Sequence, residues 1–227
     1  LTAAPGRWQT HSGRKRSMTK REFELNLSDD AKSVKVVLVG DGAVGKTSML
    51  TRYSSNAFCP DHIPTIFENC WLDRVVDGRK IELALWDNAG QEEFDKIRLL
   101  SYQNTDVFLV VFAINSPTSL DHVKSEWMPE ITEYCQGVPV MLIGSKTDLR
   151  GVPGVRASSF DDGRMLAQEI GAAAYMECSA KTSDGCAAVF DQAIREALVG
   201  QDRRQKKTLT HRNHAKTANS QQCCTVL

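Results

Sequence analysis

No run of about 18 apolar residues, the least a membrane-spanning helix needs, occurs in the 227 residues of the chain. Residues 1–33 have no apolar stretch of the kind a secretory signal requires. There is no CxxC spacing, so nothing points to zinc. Seven cysteines make an odd number; Cys59, Cys70, Cys135, Cys178 and Cys186 are scattered and read as reduced thiols of a cytosolic protein, while Cys223 and Cys224 sit together near the end. No internal repeat is present. Nor is there net charge: 28 basic residues offset 28 acidic ones. The balance is uneven, however. Residues 1–33 carry seven Lys/Arg against four Asp/Glu, residues 201–227 carry six against one, and residues 34–200 carry fifteen against twenty-three. An acidic middle does not suggest a nucleic-acid binder. A basic C-terminal end suggests an anionic surface, most simply a membrane leaflet.

What is present is an alternation of strand-like and helix-like segments. Apolar runs at 34–39, 81–86, 107–113, 138–144 and 174–178 are apolar at nearly every position, as strands covered on both faces are. A more alternating run at 70–77 ends at Asp77-Gly78, a hairpin signal, which makes it an antiparallel edge strand beside 81–86. Helices are predicted at 46–54, 116–135 (interrupted by Pro129), 161–170 and 184–199. In the last, Ala187, Phe190, Ile194 and Ala197 share a core-facing stripe. The fold class is α/β: a mostly parallel six-stranded sheet with one antiparallel edge strand and helices on both faces. Residues 1–33, including the patternless stretch ahead of Met18, read as a disordered extension, 34–200 as the domain, and 201–227 as a basic, flexible tail.

Between the first strand and the first helix lies Gly40-Asp41-Gly42-Ala43-Val44-Gly45-Lys46-Thr47-Ser48, which fits G-x-x-x-x-G-K-[ST] in the strand-to-helix setting the pattern demands. Glycines let successive backbone N–H groups turn inward onto phosphate oxygens, and the helix N-terminus adds positive potential. Lys46 supplies charge for the outer phosphates and Thr47 a hydroxyl for Mg²⁺. This much says nucleoside triphosphate and no more. Asp87, at the end of 81–86, is the expected second partner of Mg²⁺, through water; Gly90 offers a backbone N–H to the terminal phosphate, and Gln91 can orient an attacking water. In Gly144-Ser145-Lys146-Thr147-Asp148, the Asp148 carboxylate can accept two parallel hydrogen bonds from guanine, which adenine cannot donate. Ser179-Ala180-Lys181 follows the last strand and offers a backbone N–H to the base oxygen. All lie at carboxyl ends of strands, where open α/β sheets bind ligands. Asp148 argues against the alternative of a P-loop kinase or ATPase.

Together these stretches resemble the small GTPases of the Ras superfamily and, over residues 34–200, the Rho family. The likeness rests on PTIFENC (64–70), LALWDNAGQEEFD (83–95), LLSYQNTDVF (99–108), SEWMPEI (125–131), GSKTDLR (144–150), YMECSAKT (175–182) and the ending CTVL. It implies a P-loop G domain that binds GTP or GDP with Mg²⁺ and hydrolyses GTP slowly without an activating protein. Gln91, Lys46 and Thr65 would be the catalytic group. Thr65 would reach Mg²⁺ and the γ-phosphate, Phe58 would pack on the guanine, and Gly42 would leave room for an activating protein's arginine. Residues Ile63, Pro64, Thr65, Ile66, Phe67 and Glu68 would form the effector-contacting edge. Exchange factors, activating proteins, effectors and a dissociation inhibitor are the implied partners of a monomer, with actin and cell-shape signalling the implied setting.

The sequence departs from that family at four places. His62 stands where a tyrosine usually lids the phosphates, Asn88 replaces the threonine of Asp-Thr-Ala-Gly, and Ser145 replaces the asparagine of Asn-Lys-x-Asp. The stretch 151–162 is shorter than the family's helical insert, and its Gly151, Pro153 and Gly154 predict a loop or a single turn. The first three suggest an alternative: a fast-exchanging, mostly GTP-bound scaffold. At the end, Cys224-Thr225-Val226-Leu227 fits C-a-a-X with a geranylgeranyl-type leucine. The basic cluster or a palmitoylated Cys223 would supply the second membrane signal that one lipid chain needs. The expected location is the cytoplasmic face of membranes, foremost the plasma membrane.

Overall fold

A computed structural model of the chain describes residues 31–58, 67–88 and 95–221. Strand β1 (Lys32–Val39) leads into helix α1 (Lys46–Ser55); the hairpin β2 (Phe67–Val76) and β3 (Arg79–Asn88) follows, then α2 (Asp95–Ser101) and β4 (Val107–Ala113). Helix α3 (Pro117–His122) continues through a π-helical turn (Val123–Trp127) into α4 (Met128–Tyr134). Strand β5 (Val140–Ser145), a 3₁₀ turn (Thr147–Leu149), α5 (Phe160–Glu169), β6 (Ala174–Glu177) and α6 (Cys186–Gln221) complete the order.

The six strands lie in the order β2-β3-β1-β4-β5-β6, with β2 antiparallel to β3 at the edge and every other pairing parallel. Asp77 and Gly78 both have positive φ, 51° and 75°, as a two-residue hairpin turn of right-handed twist requires. Because side chains alternate along a strand, β1 feeds two cores. Val34, Val36 and Leu38 pack with Met49 of α1 and with Val189, Phe190, Ala193 and Ile194 of α6. Val37 and Val39 pack on the opposite face with Phe108, Phe112, Trp127 and Ile131. The parallel register sets Leu38 opposite Asp87 and Val39 opposite Val110. Residues leaving β1, β3, β4, β5 and β6 therefore emerge along one edge of the sheet.

Three expectations need correction. The core stripe of α6 is built from Cys186, Val189, Phe190, Ala193, Ile194 and Ala197, while Ala187 is exposed. The helix does not stop near Val199: it runs to Gln221, so residues 201–221 are helical rather than a flexible tail. A Cβ at Gly200 would lie 3.3 Å from the Pro139 ring, so this glycine serves close packing and not termination. The Gln, Arg and Lys residues after it are good helix formers. The segment from Gly151 to Ser159 contains no helix, with Gly151 and Gly154 at φ 83° and 81°, as its composition predicts.

Candidate functional site

The turn after β1 is shaped by its glycines. Gly40 sits at φ 137°, and a Cβ there would come within 2.1 Å of the Val111 carbonyl oxygen of β4. Gly45, at φ 103°, caps the start of α1 in the left-handed region. Ala43 adopts φ 60° between them. Gly42 differs: a Cβ there would meet no atom within 4 Å. The Lys46 side chain folds back under the loop, donating from Nζ to the carbonyls of Gly40 (2.6 Å) and Asp41 (2.7 Å). Burial lowers its pKa from 10.5 to about 8, although the Asp87 and Asp41 carboxylates act to raise it. Asp87, at the end of β3, is fully buried.

The next strands brace this loop. Ser145 Oγ, at the end of β5, lies 2.5 Å from the Val44 carbonyl oxygen and 2.9 Å from that of Phe112. Lys146, itself at φ 61°, donates from Nζ to the Ala43 carbonyl at 2.7 Å. Asp148 is 12% exposed; its Oδ1 accepts a hydrogen bond from Ser179 Oγ at 2.6 Å, and Lys181 Nζ lies 3.9 Å from Oδ2. A cavity of about 270 Å³ opens here, with Ala43, Gly45 and Ser48 on one side, Asp148, Ala180 and Lys181 on the other, and Phe58 at its rim. Stretches separated by more than 100 residues thus meet in one concavity: a phosphate-loop backbone at one end and a fixed carboxylate at the other.

Comparison with known proteins agrees with that geometry. The model of the Ras family matches residues 35–199. The chain is 47% identical over 182 residues to the GTP-binding protein RHO1 of Candida albicans, covering 76% of this chain and 92% of that protein. It is 43% identical over 194 residues to the GTP-binding protein RHO1 of Saccharomyces cerevisiae, covering 80% and 93%. The chain belongs to the Ras family, as a Rho-type small GTPase.

Several parts of this Rho-type site escaped the sequence. Arg52, on α1, donates from Nε to the Ala180 carbonyl (2.8 Å) and from Nη2 to that of Lys181 (3.3 Å), and its guanidinium faces the Phe58 ring at 6.0 Å. It ties the base-side loop to the phosphate-side helix. Its only sequence signal is a basic residue in the last turn of a short helix. His122 has Nδ1 2.8 Å from Asp41 Oδ2, and Trp127 Nε1 donates to Asp41 Oδ1 at 2.8 Å. Asn88, at a departure position, donates from Nδ2 to the Leu38 carbonyl at 3.3 Å and so joins β3 to the strand that enters the loop. The predicted Thr65, Gly90 and Gln91, with Ile63, Pro64, Ile66, His62, Cys59, Cys223 and Cys224, lie outside the described residues, as do the side chains of Phe67 and Glu68.

Proposed function

We propose that this Rho-type GTPase works as a molecular switch, holding GTP or GDP with Mg²⁺ in the cavity between the phosphate loop and Asp148. The observation that carries the reading is that single concavity, lined at once by Ala43, Gly45 and Ser48 and by Asp148 and Ala180. Backbone N–H groups of residues 40–48 take the phosphates, together with the Lys46 amine. Asp148, its carboxylate held by Ser179, reads the paired donors of guanine, and Phe58 covers the base. Thr47, Thr65 and, through water, Asp87 hold the cation. Oxygen donors with one buried carboxylate fit Mg²⁺, which takes most remaining ligands from phosphate and water; when bound, it neutralises charge on the phosphates. Gln91 orients the attacking water, and Thr65 and Gly90 report the γ-phosphate.

The supporting relatives are GTP-binding proteins named RHO1, and regulators and effectors in general come with that type. Exchange factors, an activating protein, a dissociation inhibitor and effectors at residues 63–68 are the proposed partners. Cell-shape signalling at a membrane, with Cys224 prenylated, is the proposed setting. No helix among the described residues is long and apolar enough to cross a membrane, so the lipid and the basic segment would carry attachment. The domain would span 34–200, with 1–33 and 201–227 as flanking segments.

Two measurements test the core. Asp148→Asn should exchange guanine for xanthine preference in nucleotide binding, and a Rho-type activating protein should accelerate GTP hydrolysis by the unaltered chain. Unchanged GTP selectivity in the variant would remove Asp148 from its role, and absence of acceleration would remove the switch cycle. One observation favours a second reading, a fast-exchanging scaffold: the Ser145 hydroxyl has one proton for two carbonyl acceptors. Slow GDP release and mostly GDP in the purified protein would dismiss it.

A further inference from the structure

We infer that Trp127 and His122 are positioning residues for the phosphate loop, acting through the Asp41 carboxylate; this rests on the nucleotide-binding role proposed above. The loop is anchored at both ends. Gly40 is pressed against the Val111 carbonyl, and Val44 and Ala43 are held by Ser145 and Lys146. Between these anchors lies Asp41-Gly42, and Gly42 has open space on its outer side. The peptide groups there are the ones whose orientation the anchors leave freest. Asp41 removes that freedom twice over. Its backbone carbonyl accepts from Lys46 Nζ at 2.7 Å, and its carboxylate reaches the opposite way to two ring nitrogens, Trp127 Nε1 and His122 Nδ1, each at 2.8 Å.

The π-helical turn explains why both rings can reach one carboxylate. In an α-helix, residues five apart point about 140° away from each other. The Met128 N–H bonds instead to the Val123 carbonyl, five residues back, and the wider turn brings residues five apart to within about 60° of each other. Pro129, in the first turn of α4, has no N–H to continue an α-helical ladder. The indole is fixed in its turn. Trp127 is 6% exposed, and the Arg98 guanidinium lies 4.8 Å from its ring while paired through two nitrogens with Glu130. Arg98 belongs to α2, so one side chain bridges the loop and the helix that follows residues 89–94. A buried indole N–H donor and a carboxylate turned from the loop toward α3 thus set the orientation of the peptide beside Gly42.

The test is the release rate of fluorescent GDP, with Mg²⁺ present, from the full chain and its variants. Trp127→Phe keeps a ring for Arg98 and deletes the N–H; His122→Ala deletes the second nitrogen. Each should speed release about tenfold, the worth of one hydrogen bond to a charged group. In an Asp41→Ala background neither change should add anything, because both act through the same carboxylate. Asp41→Asn, which keeps an oxygen acceptor for the indole, should restore release to below the Asp41→Ala rate. Release rates equal to the unaltered chain, or effects that persist in Asp41→Ala, would overturn the inference while leaving nucleotide binding intact. An unaltered chain that holds no guanine nucleotide would overturn the proposed function and this inference together.

Discussion

Titrating nucleotide binding against pH interrogates the phosphate loop through Lys46. This lysine is 6% exposed, and burial holds its pKa at about 8 rather than 10.5. That difference is a penalty of about 3 kcal/mol on the charged amine. Below pH 8 the amine is charged both folded and unfolded, and the penalty is fully present. Between about 8 and 10.5 the folded chain holds fewer protons than the unfolded chain, so the nucleotide-free protein gains stability as pH rises through that window. Phosphate oxygens reverse the shift, because an anion beside the amine favours its charged form. Binding GDP should therefore take up a proton: about 0.1 per site at pH 7 and about 0.5 at pH 8. Affinity should fall about tenfold from pH 7 to pH 9. Calorimetry of GDP binding in buffers of differing ionisation enthalpy reads the uptake directly. No rise in uptake between pH 7 and pH 8 would refute the reasoning: either Lys46 is not desolvated before binding or it does not meet the phosphates.

Other parts of the fold give sharp expectations. Arg52→Ala removes the donors to the Ala180 and Lys181 carbonyls and should weaken GDP binding about tenfold, at about 1.5 kcal/mol for a charged hydrogen bond, by equilibrium titration. Glu130→Ala strips the buried Arg98 of its bidentate partner and Tyr102 of a hydrogen-bond acceptor. It should cost about 3 kcal/mol, lowering the melting midpoint by about 6–12 °C. Gly40→Ala drives a methyl group to within 2.1 Å of the Val111 oxygen and should prevent stable folding, whereas Gly42→Val, with open space outside, should melt like the unaltered chain yet lose acceleration by an activating protein.

The phosphate loop was legible in the sequence because its geometry tolerates few residues. Gly40 and Gly45 hold positive φ, and a lysine must follow the second. The placement of Asp148 facing the loop was legible for a similar reason: both lie at carboxyl ends of parallel strands, which share one edge of the sheet. The hairpin at Asp77-Gly78 carried its own turn chemistry. What stayed hidden depends on placement across the chain. Arg52 reaches a carbonyl 128 residues away, and no local pattern encodes that reach. The Asp41 clamp requires a π-helical turn, and a one-residue insertion in helical register changes which side chains share a face. Of the predicted α6 stripe, Phe190, Ile194 and Ala197 are buried as expected, and only Ala187 faces outward, the buried face starting at Cys186 instead. The helix was expected to end at 199, and the packing of Gly200 against Pro139, which lies outside any helical pattern, gives no sign in the sequence of its continuation.

These hidden contacts share a direction. Arg52 joins α1 to the base-side loop, Ser145 and Lys146 join that side to the phosphate loop, and Asp41 joins the phosphate loop to Trp127 and so to Arg98 of α2. The residues proposed to touch nucleotide are contributed by separate strand ends, which a parallel sheet only brings to a common edge. Fixing their positions there falls to side chains that meet backbone carbonyls or a loop carboxylate. A Rho-type chain can therefore change how firmly it holds nucleotide without changing any residue that contacts it. Ser145 both lines the cavity and braces the loop: its hydroxyl supplies one donor to the Val44 and Phe112 carbonyls, where an amide would supply two. With one proton for two acceptors, the Ser145 hydroxyl can satisfy only one of these carbonyls at a time. Nucleotide residence time, rather than nucleotide identity, is where this chain is expected to differ from relatives that carry the amide.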